Sequence, residues 1–168
     1  MTSVLKVDNI QNSSGSNALA IDSNGRVSIS QPIILVAYMT NTMTSTGIII
    51  WNNSPIDTAS AYSTSTGQFT CPKNGYYEVS FHYLLRSCTG GHRVNVRKNN
   101  VKINTPSHND ASLIWQYSSA AEDQIIAAST IVQCNANDTL DVHLFYLANG
   151  DIYGGGNQHN QLTIKYLG

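Results

Sequence analysis

The residues of this chain that could do chemistry are few and poorly spaced for it. Its five histidines, His82, His92, His108, His143 and His159, include no pair at the short spacing by which one element presents two ligands to a metal. Close carboxylates occur at Glu122-Asp123 and at Asp138 with Asp141. Glycoside cleavage needs two carboxyl groups held on opposite sides of a scissile bond. The first pair lies in a polar stretch, and the second straddles a turn and a strand start, where Asp commonly bonds its own backbone. Serine is abundant, yet no Gly-x-Ser-x-Gly elbow presents one as a nucleophile. Cys71, Cys88 and Cys134 form an odd set without a Cys-x-x-Cys pair, so buried thiols made in a reducing compartment are expected rather than a disulfide framework. No catalytic residue, metal site or cofactor is assigned, and the chain is not expected to be an enzyme.

The composition explains what carries these residues instead. Charged residues make up 11% of the 168, far below the roughly 25% of ordinary domains. Asn, Ser and Thr replace them, which suits pleated strands and tight turns and suits helices poorly. With 41% hydrophobic residues the chain can still bury a sizeable core. Net charge is −1, and the densest cations, Arg93, Arg97, Lys98 and Lys102, fall on one strand and the turn after it. They are too few for the many phosphate contacts that nucleic acid requires. No apolar run approaches the ~20 residues of a membrane helix, and "PIILVAYM" reads as a buried strand. The first residues lack a cationic stretch followed by an apolar one, so no secretion signal is expected.

Residues 1–31 read as an arm. "VLKVDNI" alternates, with Leu5, Val7 and Ile10 as its apolar positions, and a polar link follows. Leu19 and Ile21, then Val27 and Ile29, flank Asn24-Gly25, a β-hairpin signal. Pieces this small bury little surface alone and are expected to pair with a partner chain or lie along a neighbouring protein. Residues 32–168 hold short strands near 33–40, 48–51, 68–70, 75–86, 93–98, 112–117, 125–134, 139–147 and 161–167. Turns are expected between them, including Asn52–Pro55, Pro72–Gly75 and Cys88–Gly91. Such spacing means an antiparallel β-sandwich or jelly roll. The longest strand places Tyr77, Val79, Phe81 and Tyr83 on one face, toward the core, and Glu78, Ser80 and His82 on the other.

"GQFTCPKNGYYEVSFHY", followed by "VNVRKNN" and "NANDTLDVHLFY", resembles the globular heads of the first complement component, members of the tumour-necrosis-factor-like jelly rolls. In that family a Gly-x-Phe-x-x-Pro-x-x-Gly-x-Tyr segment leads into a long core strand, and Gly67, Phe69, Pro72, Gly75 and Tyr77 match it. The resemblance implies a homotrimer, with Phe69, Tyr77, Val79, Phe81 and Tyr83 in its core. It also implies that the last strand, Leu162, Ile164 and Tyr166, closes the trimer core. Some of these relatives bind Ca²⁺ near the trimer axis, for which Asp138, Asp141 and Asp151 would be the oxygen donors here; no Asp-x-Asp-x-Asn-Gly loop accompanies them.

"TSVLKVDNIQNSSGSNALAIDSNGRVSI" resembles the N-terminal segments of tailed-bacteriophage virion proteins, among them head-decoration and fibre proteins. That resemblance implies a trimeric capsid decoration (cement) or head-fibre protein on the virion surface, made in the host cytoplasm. Its arm would bind the major capsid protein or another virion protein. The alternative is the receptor-binding tip of a tail fibre, recognising a host surface glycan or protein. Trp115 and Tyr117, together with Tyr153, Asn157 and His159 in a glycine-rich connection, are the side chains suited to such outer contacts.

Overall fold

The computed structural model describes residues 7–11, 13–15, 17–21, 23–29, 32–103 and 113–168 of the chain; Leu5 and His108 lie outside them. The chain forms two compact units, Met1–Pro32 and Ile33–Gly168.

In the first unit β1 (Asn9–Gln11), β2 (Asn17–Ile21) and β3 (Val27–Ile29) form an antiparallel sheet in that order. Ile10 stands opposite Leu19, Leu19 opposite Ile29, and Ile21 opposite Val27. Gly25, at φ 75°, supplies the left-handed residue that the β2–β3 turn needs. Within this unit β1 pairs with β2, the polar link folding the chain back on itself.

The second unit contains β4 (Ile34–Tyr38), β5 (Gly47–Ile48), β6 (Asn53–Asp57), β7 (Tyr62–Ser63), β8 (Gln68–Thr70), β9 (Gly75–Lys98), β10 (Val101–Lys102), β11 (Ile114–Cys134), β12 (Thr139–Leu147), β13 (Asp151–Ile152) and β14 (Asn160–Tyr166). All pairings are antiparallel, and no helix occurs among the described residues. The main path runs β6-β4-β14-β9-β12-β8-β7, with β10, β11 and β13 also on β9 and β5 on β12.

The long hairpin of β9 and β11 builds both layers of this sandwich. Residues 77–83 of β9 pair with β14 on one side and with residues 126–132 of β11 on the other. Residues 92–98 of β9 pair with β12, and residues 91–94 with residues 114–117 of β11. Between the halves, Ser87 and Gly90 take positive φ of 51° and 91°, and the β11 register slips near Glu122. Cys88–Gly91, expected to be a turn, is therefore a bend within one strand, and the segments expected at 112–117 and 125–134 are one strand, β11. Bulges let a strand change layers without ending it. Asn52–Pro55, also expected to be a turn, runs into strand β6. Pro55 is tolerated there because β6 is an edge strand whose register with β4 slips between Val36 and Tyr38.

Alternation along each strand sends one set of side chains inward. Tyr77, Val79, Phe81 and Tyr83 are buried, as are Leu162 and Ile164 from β14 and Val142 and Leu144 from β12. Phe69 meets the edge of Tyr77 at 5.9 Å, and Phe81 stacks on Tyr83 at 6.1 Å. The Pro72–Gly75 approach to β9 is pinned by Tyr77, whose hydroxyl donates to the Lys73 carbonyl (2.8 Å) and accepts from the Lys73 amide (3.1 Å). Two glycines are sterically required here. A Cβ on Gly67 (φ 73°) would lie 2.8 Å from Ile48 Cγ2, and one on Gly75 (φ 144°) 2.4 Å from the Gly168 carbonyl oxygen.

Candidate interaction surfaces

The carboxylates are engaged in holding the fold. Asp141 lies buried against Arg97, bonded to Nε (2.7 Å) and Nη2 (3.0 Å), a two-pronged pair. Asp151 takes Arg86 in the same manner at 2.8 and 3.0 Å. Asp138 accepts from Asn99 Nδ2 (2.7 Å) and from the Asn135 amide (2.8 Å). Those bonds hold its carboxyl below the usual carboxylate range. The three aspartates considered as Ca²⁺ donors thus serve three different partners, and no cluster of three or more His, Cys, Asp or Glu side chains fit to hold a metal occurs among the described residues. Cys71, Cys88 and Cys134 are buried free thiols. A hydrogen bond with the Cys134 thiol, and then burial, raises the pKa of the Cys71 thiol. His92 is buried edge-on to Tyr83, and His143 lies 4.3 Å from the Phe145 ring.

Apolar and aromatic side chains also remain exposed, on two surfaces of the head. One surface is the outward face of the layer formed by β6, β4, β14, β9 and β11. The pairing aligns its rows: Ser129, Ser80, Thr163 and Val36 in one, and Ile131, Glu78, Lys165 and Ile34 in the next. Ile125, opposite Leu84, and Ile131 are each 60% exposed, and Tyr76 and Ile56 also face solvent. Leu84, Ile34, Val36 and Tyr38 are half-buried. Ile125 and Ile131 thus stand bare at two places on a face whose intervening rows carry Ser129, Ser80, Thr163 and His82, and exposed large apolar side chains of this kind are suited to contact with another surface.

The second surface lies on the other layer. Arg93 stands between two strands, opposite Trp115 of β11 and Tyr146 of β12. Its guanidinium sits 4.5 Å from the Trp115 ring centre and 5.9 Å from that of Tyr146. Tyr117 stands opposite Gly91, and Lys102 Nζ lies 4.0 Å over the Phe145 ring. Together these residues line an open cleft of about 530 Å³. Trp115 and Tyr117 thus lie on a strand, as the expected strand near 112–117 has them. Phe145 and Tyr146 were not singled out from sequence, and Arg93 and Lys102 only as cations of one strand and the turn after it, because only the cross-strand register brings the four together with Trp115. A bulge at Leu144–Tyr146 helps to turn two successive aromatic residues toward this cleft.

The glycine-rich connection forms a separate cluster. Tyr153 packs edge-on to His159 at 5.3 Å and beneath the Arg86 guanidinium at 4.1 Å, with both aromatic side chains half-buried; Asn157 is exposed. Tyr166, half-buried at the end of β14, tilts against Tyr77 at 5.2 Å and donates its hydroxyl hydrogen to the Asn74 carbonyl. On the small N-terminal sheet, Val7, Ile10, Leu19 and Ile21 line a shallow apolar dimple of about 60 Å³. Val7, Ile10 and Ile21 are exposed.

The antiparallel sandwich, with its glycine-framed approach to a long core strand, defines a jelly roll of the complement-head and tumour-necrosis-factor-like class. The C1q domain profile matches residues 35–163, and the chain belongs to that family. Solved structures agree on the fold. The globular domain of zebrafish complement 1qA is similar at a TM-score of 0.57 and 14% identity, over 81% of this chain and 95% of that one. Murine APRIL at pH 5.0 gives 0.60 at 9% identity, over 82% and 100%. Eiger TNF from S. frugiperda gives 0.59 at 13% identity, over 82% and 93%. No curated protein sequence matches the chain.

Proposed function

We propose that the chain is a non-enzymatic structural protein whose C1q-type head assembles as a homotrimer and whose N-terminal unit attaches that head to a larger particle. The observation that supports the trimer is the exposure of Ile125, Ile131 and Tyr76 on the outward face of that layer. C1q- and tumour-necrosis-factor-type domains form homotrimers, which gives that face its natural occupant: the same domain of two further copies. The particle is a phage virion, with the head serving as capsid decoration or head fibre. This part rests on the wording of the first 29 residues and on their folding as a separate small sheet with exposed apolar side chains. Sedimentation of the full chain should give the mass of three copies. Removing residues 1–32 should leave that mass at three times the shortened chain while abolishing binding to particles that lack the protein. A truncated head that still coats such particles would overturn the role of the N-terminal unit.

A second reading has its own observation. The aromatic cleft at Trp115 is unlike the rest of the head and suits contact with a host surface glycan.

A further inference from the structure

The cleft between β9, β11, β12 and the β9–β10 turn carries more information than exposure alone. Trp115 is 63% and Tyr117 74% exposed, although both stand on a regular strand with inward-facing positions on either side. Rings held open on strands are rigid contact surfaces that lose little conformational freedom on binding. Gly91 lies on the strand opposite Tyr117 and leaves the floor open: a Cβ there would reach to 3.4 Å from the Tyr146 ring. The faces of aromatic rings carry partial negative charge and attract the weakly positive C–H groups of a sugar ring. Charge selects further. Arg93 and Lys102 both line the cleft, and none of its described lining residues is acidic. Each cation lies over a ring, where the ring face favours the charged group and fixes its place.

From this arrangement we propose that the cleft binds an acidic saccharide, a sugar residue bearing a carboxylate or sulfate, stacked on Trp115 and Tyr117 with its anion toward Lys102 and Arg93. This rests on the second reading above, glycan contact by the head, and adds to it the site and the class of sugar. Single-stranded nucleic acid also stacks on aromatic side chains, but two cations neutralise too few phosphates to hold it well.

The site can be tested on the full chain by acrylamide quenching of its fluorescence. Of its two tryptophans Trp51 is fully buried, so collisional quenching reports on Trp115. The probes are an oligogalacturonate tetrasaccharide, a chondroitin sulfate tetrasaccharide, neutral cellotetraose and a short oligothymidylate. An acidic tetrasaccharide should shield Trp115 and bind at least tenfold more tightly than cellotetraose. By calorimetry Trp115→Ala and Tyr117→Ala should each weaken it about tenfold, and Lys102→Gln should erase the preference for acidic over neutral sugar. Tyr117 is the safeguard against misfolding, since its side chain is mostly in solvent. Equal binding of cellotetraose would overturn the acidic class while keeping glycan contact. Failure of all three sugars to bind, acidic-sugar binding unchanged by Tyr117→Ala and Lys102→Gln, or binding of the oligothymidylate alone would overturn the site itself.

Discussion

Replacing Ile131 with lysine tests the proposed trimer at one of the two most exposed isoleucines of the head. Ile131 stands on the outward face of β11 with 60% of its surface still in water. Covering that remainder contributes about 1–1.5 kcal/mol, since full burial of such a side chain is worth roughly 1.5–3. Three copies around an axis amount to about 4 kcal/mol, roughly a thousandfold in the trimer's association constant. Lysine removes this and adds the cost of stripping water from an ammonium group. The isolated subunit should tolerate the change. Glu78 stands directly opposite Ile131, so the new cation meets a carboxylate across the strands and the monomer gains a favourable pair. Sedimentation velocity over a wide concentration range should therefore show wild type as three copies and Ile131→Lys as one, with the circular dichroism spectrum unchanged. A wild-type protein that stays a single chain at every concentration would refute the reasoning. So would a lysine variant that trimerises as tightly as wild type.

Three further outcomes follow from the interior. Asp141→Asn leaves the Arg97 guanidinium facing a neutral partner in a mostly buried site and should cost about 3 kcal/mol or more in urea unfolding; a loss under 1 kcal/mol would deny that the pair is buried. Gly75→Ala forces a Cβ against the Gly168 carbonyl at a strained φ and should lower stability by about 1–3 kcal/mol, with little change expected from Ala at Gly156, where a Cβ meets open space, beyond its own φ cost. Burial lowers the pKa of His92, whose Nε2 has no hydrogen-bond partner, so below the ordinary histidine pKa of about 6.5 the unfolded chain takes up the proton first. Stability should accordingly fall as pH drops from about 6.5, and His92→Gln should flatten that slope in thermal melts.

The local rules were legible and the distant pairings were not. Strict alternation from Tyr77 to Tyr83 named the core face of β9 because a strand's period of two leaves no other choice once one face is buried. Gly67 and Gly75 were picked out by the resemblance to the family's segment, and the structure supplies the reason: a Cβ at either would strike neighbouring atoms. Cys88–Gly91 misled for the opposite reason. Glycine beside polar residues is equally the mark of a turn and of a bulge, and only the partner strand decides between them. The cleft was hidden in the same manner: Arg93, Trp115 and Tyr146 belong to three strands, and their meeting is a fact of register.

The scarcity of charge then connects fold to role. Asp57 accepts from the Ala61 and Tyr62 amides, and Asp123 from the Ser87 amide at the bend of β9. Asp138 ties the β11–β12 turn to Asn99, while Asp141 and Asp151 hold arginines. Each of these carboxylates satisfies a backbone or cationic group that the sandwich would otherwise leave unpaired at a bend or layer edge. Carboxylates so engaged are poor acids, bases or ligands, because removing them from these bonds would first cost the bonds. The exposed Ile125, Ile131 and Tyr76 of one layer and the aromatic cleft of the other are therefore the surfaces on which the proposed contacts rest.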